Sequence, residues 1–204
     1  VQETQEINFS INGMVEDTEP SVTLNESETF SGQFSYTTGS TDTPAVSVAV
    51  ASEDDSASET VTVNAPAAFD VAITSVDSAV TAGEVITASY ELTNTGDVQA
   101  TQDIEFSING TVNDTEAGVT LNGSETFSGQ FTYTTGAVDT PAVSVAVASE
   151  DDSASETVTV NDPAILDVTL TPVDSAVTAG ELMTVSAEVM NSGDVQATHD
   201  TGFE

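Results

Sequence analysis

Lysine and arginine are absent from this chain, cysteine is absent, and histidine occurs once, at His199. Against that stand 35 Asp plus Glu, for a formal net charge of −35 over 204 residues. Binding to DNA or RNA through phosphate neutralisation needs Lys and Arg, so the usual electrostatic route to nucleic acid is closed. Attraction to anionic membrane surfaces is closed for the same reason. Without cysteine there is no disulfide and no thiolate metal site, and without lysine no Lys–Asn isopeptide cross-link. Apolar runs are short, none near the roughly 20 residues of a membrane span. There is also no signal peptide and no initiator Met, and the chain opens inside a strand pattern, as a processed product or a segment of something longer would.

What remains is a small-residue, Val- and Ala-rich chain of extreme acidity. It repels itself strongly at low salt; at about 1 M salt the Debye length falls to roughly 3 Å and that repulsion is screened. Burial of a modest core gains further from salts excluded from the protein surface. The composition therefore predicts a salt-rich habitat.

The stretch TPAVSVAVASEDDSASETVTVN at 43–64 returns letter for letter at 140–161. Val46, Val48 and Val50 alternate with small or polar residues, EDDSAS intervenes, and Val61 and Val63 alternate again: a β-hairpin with an acidic turn, written twice. The same offset relates Phe9 to Phe106, Asn25 to Asn122 and Gly83 to Gly180, without insertion or deletion and with about three quarters of the positions identical. A period near 97 residues suits a whole β-sandwich rather than a small solenoid repeat. Breaks fall at NAPAA (64–68) and NDPAI (161–165), where a proline would disrupt a central strand. Residues 67–161 then form one complete domain, 1–64 the back part of another (its strands C to G), and 165–204 the front part of a third (its strands A to C).

Within 67–161 the alternation predicts strands at Phe69–Ile73, Ile86–Leu92 and Ile104–Ile108, then a short strand at Val119 and Leu121, a strand at Phe127–Tyr133, and the Val-rich hairpin. VTAGE (80–84), NTGD (94–97), Asn109-Gly110 and Asn122-Gly123 read as turns. Gly129 marks a close approach by a neighbour. About seven strands with period-2 alternation and no helical window make an all-β antiparallel sandwich the expected class.

The order AGE, a β-run, NTGDVQATQDIEFSING, TLNGSETFSGQFTYTT and VSVAVASEDDSASETVTV resembles the CARDB family, the cell-adhesion-related Ig-like domains of prokaryotes, and most of all the versions in secreted and surface proteins of halophilic archaea. The resemblance covers 67–161 and both flanking pieces. It implies tandem Ig-like antiparallel β-sandwiches that are extracellular and non-enzymatic, and it carries no catalytic residue. In an Ig-type sandwich Asp97 and the turn Glu150, Asp151 and Asp152 share one end of the domain. Two readings fit them. Either they meet Asp42 and Asn64 of the preceding unit and hold Ca²⁺ with their oxygens, as Glu53, Asp54 and Asp55 would in the first copy, or they are solvated turn carboxylates.

Five sequons, at Asn8, Asn25, Asn109, Asn113 and Asn122, are candidate glycosylation sites; Asn8 is expected to project outward and Asn113 to lie in a loop. His199 beside Asp200 has Gln5 and Gln102 at its equivalent positions, and nothing specifies a triad. Tyr36, Tyr90 and Tyr133 fit core packing better than a sugar platform. The expectation is a structural protein of an extracellular filament, thread or appendage. It assembles with itself head to tail, residues 1–64 of one copy completing 165–204 of another by strand addition, or else is a window on a longer array. Other surface proteins or glycans are further partners. The alternatives are an adhesin or carbohydrate-binding module and a segment of a viral fibre. No nucleic acid, membrane span or obligatory cofactor is expected.

Overall fold

The computed structural model describes residues 3–172 and 176–198. These form fourteen strands and two single-turn 3₁₀ segments, with no α-helix. They divide into two compact units. The first takes in residues to Ala68 together with Thr95–Ala100 and Asn122–Ser124, and the second takes in the remainder.

The first unit contains β1 (Glu3–Ile11), β2 (Met14–Leu24), β3 (Ala45–Ala51) and β4 (Ser56–Thr62), an antiparallel sheet in the order β2-β1-β3-β4. The β1–β2 connection is an Asn-Gly turn, and the left-handed φ of 51° at Asn12 and 83° at Gly13 gives the strand twist that such hairpins need. Phe9, Ile11 and Val46 are buried, with Phe34, Val48 and Val63 against them and the Phe9 and Phe34 rings stacked at 5.2 Å. Residues 29–37 form no strand, although they repeat the sequence expected to form one. Of the strands expected in 1–64, those corresponding to 104–108, the Val119 segment and the Val-rich hairpin are present.

The second unit contains β5 (Phe69–Val76), β6 (Ala79–Thr81), β7 (Val85–Asn94), β8 (Ala100–Ile108), β9 (Thr111–Leu121), β10 (Thr126–Thr134), β11 (Ala142–Ala148) and β12 (Ser153–Asn161), followed by β13 (Leu166–Pro172) and β14 (Val185–Asn191). One sheet runs β10-β7-β5, the other β6-β12-β11-β8-β9, and β13 pairs with β14. Alternation decides what each strand buries. Ile86, Ala88, Tyr90 and Leu92 of β7 are all within 2% of full burial, as are Ile104 of β8 and Val143, Val145, Val147, Val158 and Val160 of the hairpin. Rings fill the middle: Tyr90 packs on Phe106 at 5.1 Å, and Phe106 stacks on Phe131 at 5.0 Å. The expected close approach at Gly129 is the phenol of Tyr90, which a Cβ there would overlap. This is an all-β sandwich, as the alternation predicts.

Three expectations change. Residues 67–161 carry eight strands rather than seven. VTAGE is not wholly a turn: 79–81 is β6, which pairs parallel to β12 (Ala79 opposite Thr159) and carries the chain from one sheet to the other. The strand at Val119 and Leu121 is the end of an eleven-residue β9, whose polar first half gave no apolar signal.

Candidate functional site

The NTGD turn is where the repeat most plainly acts on its own backbone. The Asp97 carboxylate accepts the Ala65 N–H at 2.8 Å, and the Asp97 N–H donates to the Ala65 carbonyl at 3.0 Å. Thr95 adds an N–H bond to the Ala68 carbonyl at 2.8 Å. Gly96 lies so close to this segment that a Cβ would overlap the Pro66 carbonyl oxygen and come 2.8 Å from Ala67 Cα. The next copy, within the second unit, does the same. Asp194 accepts the Asp162 N–H at 2.9 Å and donates to its carbonyl at 3.1 Å. A Cβ on Gly193 would overlap the Pro163 carbonyl oxygen. Sequence reading marked the Pro-containing segments as linkers and NTGD as a turn, but not that one grips the other. The 97-residue recurrence of the Gly-Asp pair was the available signal.

The acidic turn also faces main chain. Asp151 accepts the Phe69 N–H at 2.9 Å and the Gln102 amide at 2.6 Å, and Asp152 accepts the Val71 N–H at 3.0 Å. Ser149 Oγ takes the N–H groups of Asp151 and Asp152 at 3.2 and 3.1 Å. These carboxylates thus cap edge donors of β5 that have no ladder partner. Those hydrogen bonds favour the ionised form, so Asp151 and Asp152 are held below the ordinary value of 3.8, chiefly by the Phe69 and Val71 N–H groups respectively. A depressed folded-state pKa contributes stability that is fully present above the unfolded value and is lost as pH falls through the folded one. The sandwich's melting temperature should therefore be flat above about pH 5 and fall as pH drops below about 3.8. Asp152→Asn should flatten the acid limb when melting is followed by circular dichroism; an unchanged limb would show that these carboxylates do not couple to folding.

Glu150 is exposed, and its N–H donates to Gln102 Oε1 at 3.1 Å. In the first copy Gln5 donates to Asp54, Ser52 Oγ takes the N–H groups of Asp54 and Asp55 at 3.3 and 3.2 Å, and Glu53 is exposed. Asp42 is buried and accepts the Gly39 N–H at 2.7 Å and the Tyr36 hydroxyl at 3.2 Å. Asp139 does the same with Gly136 and Tyr133. Asn64 is exposed. Among the described residues no three His, Asp or Glu converge to hold a metal ion.

Asn25, Asn109, Asn113 and Asn122 are exposed. Asn113 lies in β9, not in a loop, since the strand is longer than its apolar pattern indicated. Asn8 is half-buried and its amide oxygen accepts the Thr18 hydroxyl at 2.7 Å, so it does not simply project outward. Asn109 turns its oxygen back to the Ser144 N–H at 2.9 Å. Tyr90 is a core residue, whereas Tyr36 and Tyr133 hold the buried Asp42 and Asp139. His199 and Asp200 lie outside the described residues. Among the described residues no helix is long and apolar enough to cross a membrane.

The fold and these carboxylate clamps define an all-β protein of antiparallel sandwich class. No protein-family model matches the chain, and no curated protein matches it. Among solved structures it is similar to the CARDB domain of a Pyrococcus furiosus protein, crystallised in complex with di-metal ions (14% identity, 48% of this chain and 94% of that one, TM-score 0.40). A solution structure of the same domain gives 14% identity over 46% of this chain and 93% of that one, with a TM-score of 0.39. It is also similar to a Listeria innocua β-glucosidase at 16% identity and TM-score 0.41, over 48% of this chain but only 16% of the enzyme.

Proposed function

We propose that the chain is a non-enzymatic structural module of an extracellular thread or cell-surface appendage, built from Ig-like sandwiches that follow one another every 97 residues and working in high salt. The observation that carries this reading is the doubled clamp. Ala65 with Asp97, and Asp162 with Asp194, tie two successive linkers to the NTGD-type turn by paired main-chain bonds. A chain that only needed to connect sandwiches would be served by a slack linker. Repetition of a tight one favours a module whose task is reach and shape.

The test is immunogold labelling of whole producing cells and of thin sections of them, grown in molar salt, with antibody raised against 67–161. Gold along extended threads supports the reading; gold confined to the cell interior overturns it, and gold on virus particles would assign it to a viral fibre. One observation favours a second reading, an adhesin or carbohydrate-binding module. Of the eleven differences between 1–64 and 98–161, four fall on one strand, β2 and its equivalent β9: Met14/Thr111, Glu16/Asn113, Pro20/Ala117 and Ser21/Gly118. Differences gathered on one exposed strand are a usual way to change a ligand.

A further inference from the structure

A sheet edge is a row of unpaired main-chain groups, and three of the four edges of the complete sandwich are blunted. At β5 the outward N–H groups of Phe69 and Val71 are taken by Asp151 and Asp152, and the ladder shifts register between Ile73 and Ser75. β6 is only three residues long. β9 carries Asp114 and Glu116, both exposed. The fourth edge is β10, which among the described residues pairs with β7 on one side only. Its nine residues, Thr126–Thr134, keep one register with β7 from end to end, without a bulge. They include no proline and no charge. Residues 126–138, with their equivalents 29–41, are the longest runs in the chain without Asp or Glu. The Asn94 N–H donates to the Glu125 carbonyl at 3.0 Å and the Thr135 N–H to the Glu84 carbonyl at 2.9 Å. Bonded pairs alternate along an antiparallel ladder, so Phe127, Gly129, Phe131 and Tyr133 bond to β7. The N–H and C=O groups of Thr126, Ser128, Gln130, Thr132 and Thr134 point away from it. All five of these residues are exposed.

We infer that the free edge of β10 pairs with β10 of a second copy of this chain, antiparallel about a two-fold axis, so that two three-stranded sheets become one of six strands. Charge chooses the occupant. A molecule of the same −35 is repelled wherever carboxylate meets carboxylate, and β10 is an edge that presents none. Joining β10 to another copy's β5 or β9 would instead bring Asp70, or Asp114 and Glu116, to the join. Full overlap of two nine-residue edges sets Gln130 opposite its own counterpart, Ser128 opposite Thr132, and Thr126 opposite Thr134. Amide then meets amide and hydroxyl meets hydroxyl, with no like charges opposed. The contact is isologous, so it stops at two copies. Glu125, exposed one residue before the strand, brings a carboxylate to each end of the join, and with the net charge it makes pairing depend on salt. The inference goes beyond the thread reading without resting on it. Threads would be joined sideways, and a lone sandwich would pair in the same way.

The experiment is sedimentation equilibrium of the 204-residue chain in NaCl from about 0.1 to about 3 M. Protein is taken up to about 0.5 mM, since a single strand edge is a small contact. Wild type should pass from monomer to dimer as salt rises and grow no further. Ser128→Asp with Thr132→Asp sets carboxylates opposite one another across the join and should weaken dimerisation about 10-fold or more. Ser144→Asp with Ser155→Asp adds the same charge at exposed positions of β11 and β12 and should leave dimerisation as in wild type. Melting followed by circular dichroism checks that each variant is folded. In this cysteine-free chain Gln130→Cys should oxidise to a covalent dimer in molar salt faster than Ser155→Cys, because paired Cα atoms about 5.5 Å apart lie within disulfide reach. A wild type that stays monomeric at every salt would hand the edge to a strand of some other protein and overturn the proposal. So would growth past the dimer, association that Ser128→Asp with Thr132→Asp leaves unchanged, or equal oxidation of the two cysteine variants.

Discussion

Ile104→Ala should lower the unfolding free energy of the sandwich by about 3–4 kcal/mol, whereas Ile7→Ala in dilute solution should cost about 1 kcal/mol or less. The two residues are one repeat apart and share their flanking sequence pattern. Ile104 is fully buried beneath the opposite sheet, and truncating it leaves a cavity that neighbours on both sheets cannot all collapse to fill. Ile7 is half-buried on the rim of an open groove, where water fills whatever space is vacated. In a domain of this size the larger loss lowers the melting temperature by roughly 12–20 °C. Differential scanning calorimetry in molar salt reads both. Equal losses in dilute solution would mean that the groove is covered as completely as the sandwich core, and the open-sheet description of the first unit would be wrong.

The same pair of sites shows what could be read from residues alone. The alternation at 46–50, 86–92 and 104–108 was legible because a strand buried on one face must place apolar side chains at every second position. Asn12-Gly13 and Asn109-Gly110 were legible because a two-residue hairpin needs left-handed φ at both positions. The state of residues 29–37 was not. Their sequence differs from 126–134 only by Ser35 for Thr132, yet 126–134 is a strand and 29–37 is not. What differs is the presence of β7, a partner about forty residues distant in sequence, and no local pattern encodes it. The polar half of β9 was hidden for a related reason, since an edge strand exposed on both faces has no apolar period to show. The acidic residues were legible as a composition but not as a function. Carboxylates in a chain with no cation invite a metal, and only coordinates reveal that Asp97, Asp151 and Asp152 already have main-chain N–H donors.

Gly96→Ala should cost about 3 kcal/mol or more and free the 65–68 segment. The reason is contact with backbone rather than with a side chain that could swing away. A Cβ at this position overlaps the Pro66 carbonyl oxygen and comes 2.6 Å from its carbon and 2.8 Å from Ala67 Cα. Relief therefore requires the linker to leave the turn, which also breaks the Ala65–Asp97 pair at 2.8 and 3.0 Å and the Thr95–Ala68 bond at 2.8 Å. Asp97→Ala removes only the carboxylate's share, a charge-assisted bond to one N–H worth about 1–2 kcal/mol, and leaves the close approach intact. Gly193→Ala should act in parallel on 162–164, because its Cβ meets Pro163 and Ala164 in the same way. Trypsin has no site in a chain without Lys or Arg, so the readout is thermolysin cleavage ahead of Phe69, where opening exposes backbone to the protease. A loss of about 3 kcal/mol multiplies the open population, and so the cleavage rate, by about 100-fold, against about 10-fold for Asp97→Ala. If Gly96→Ala is cut no faster than wild type, the turn does not hold the linker, and the repeated Gly-Asp pair loses its place as the device that shapes the chain.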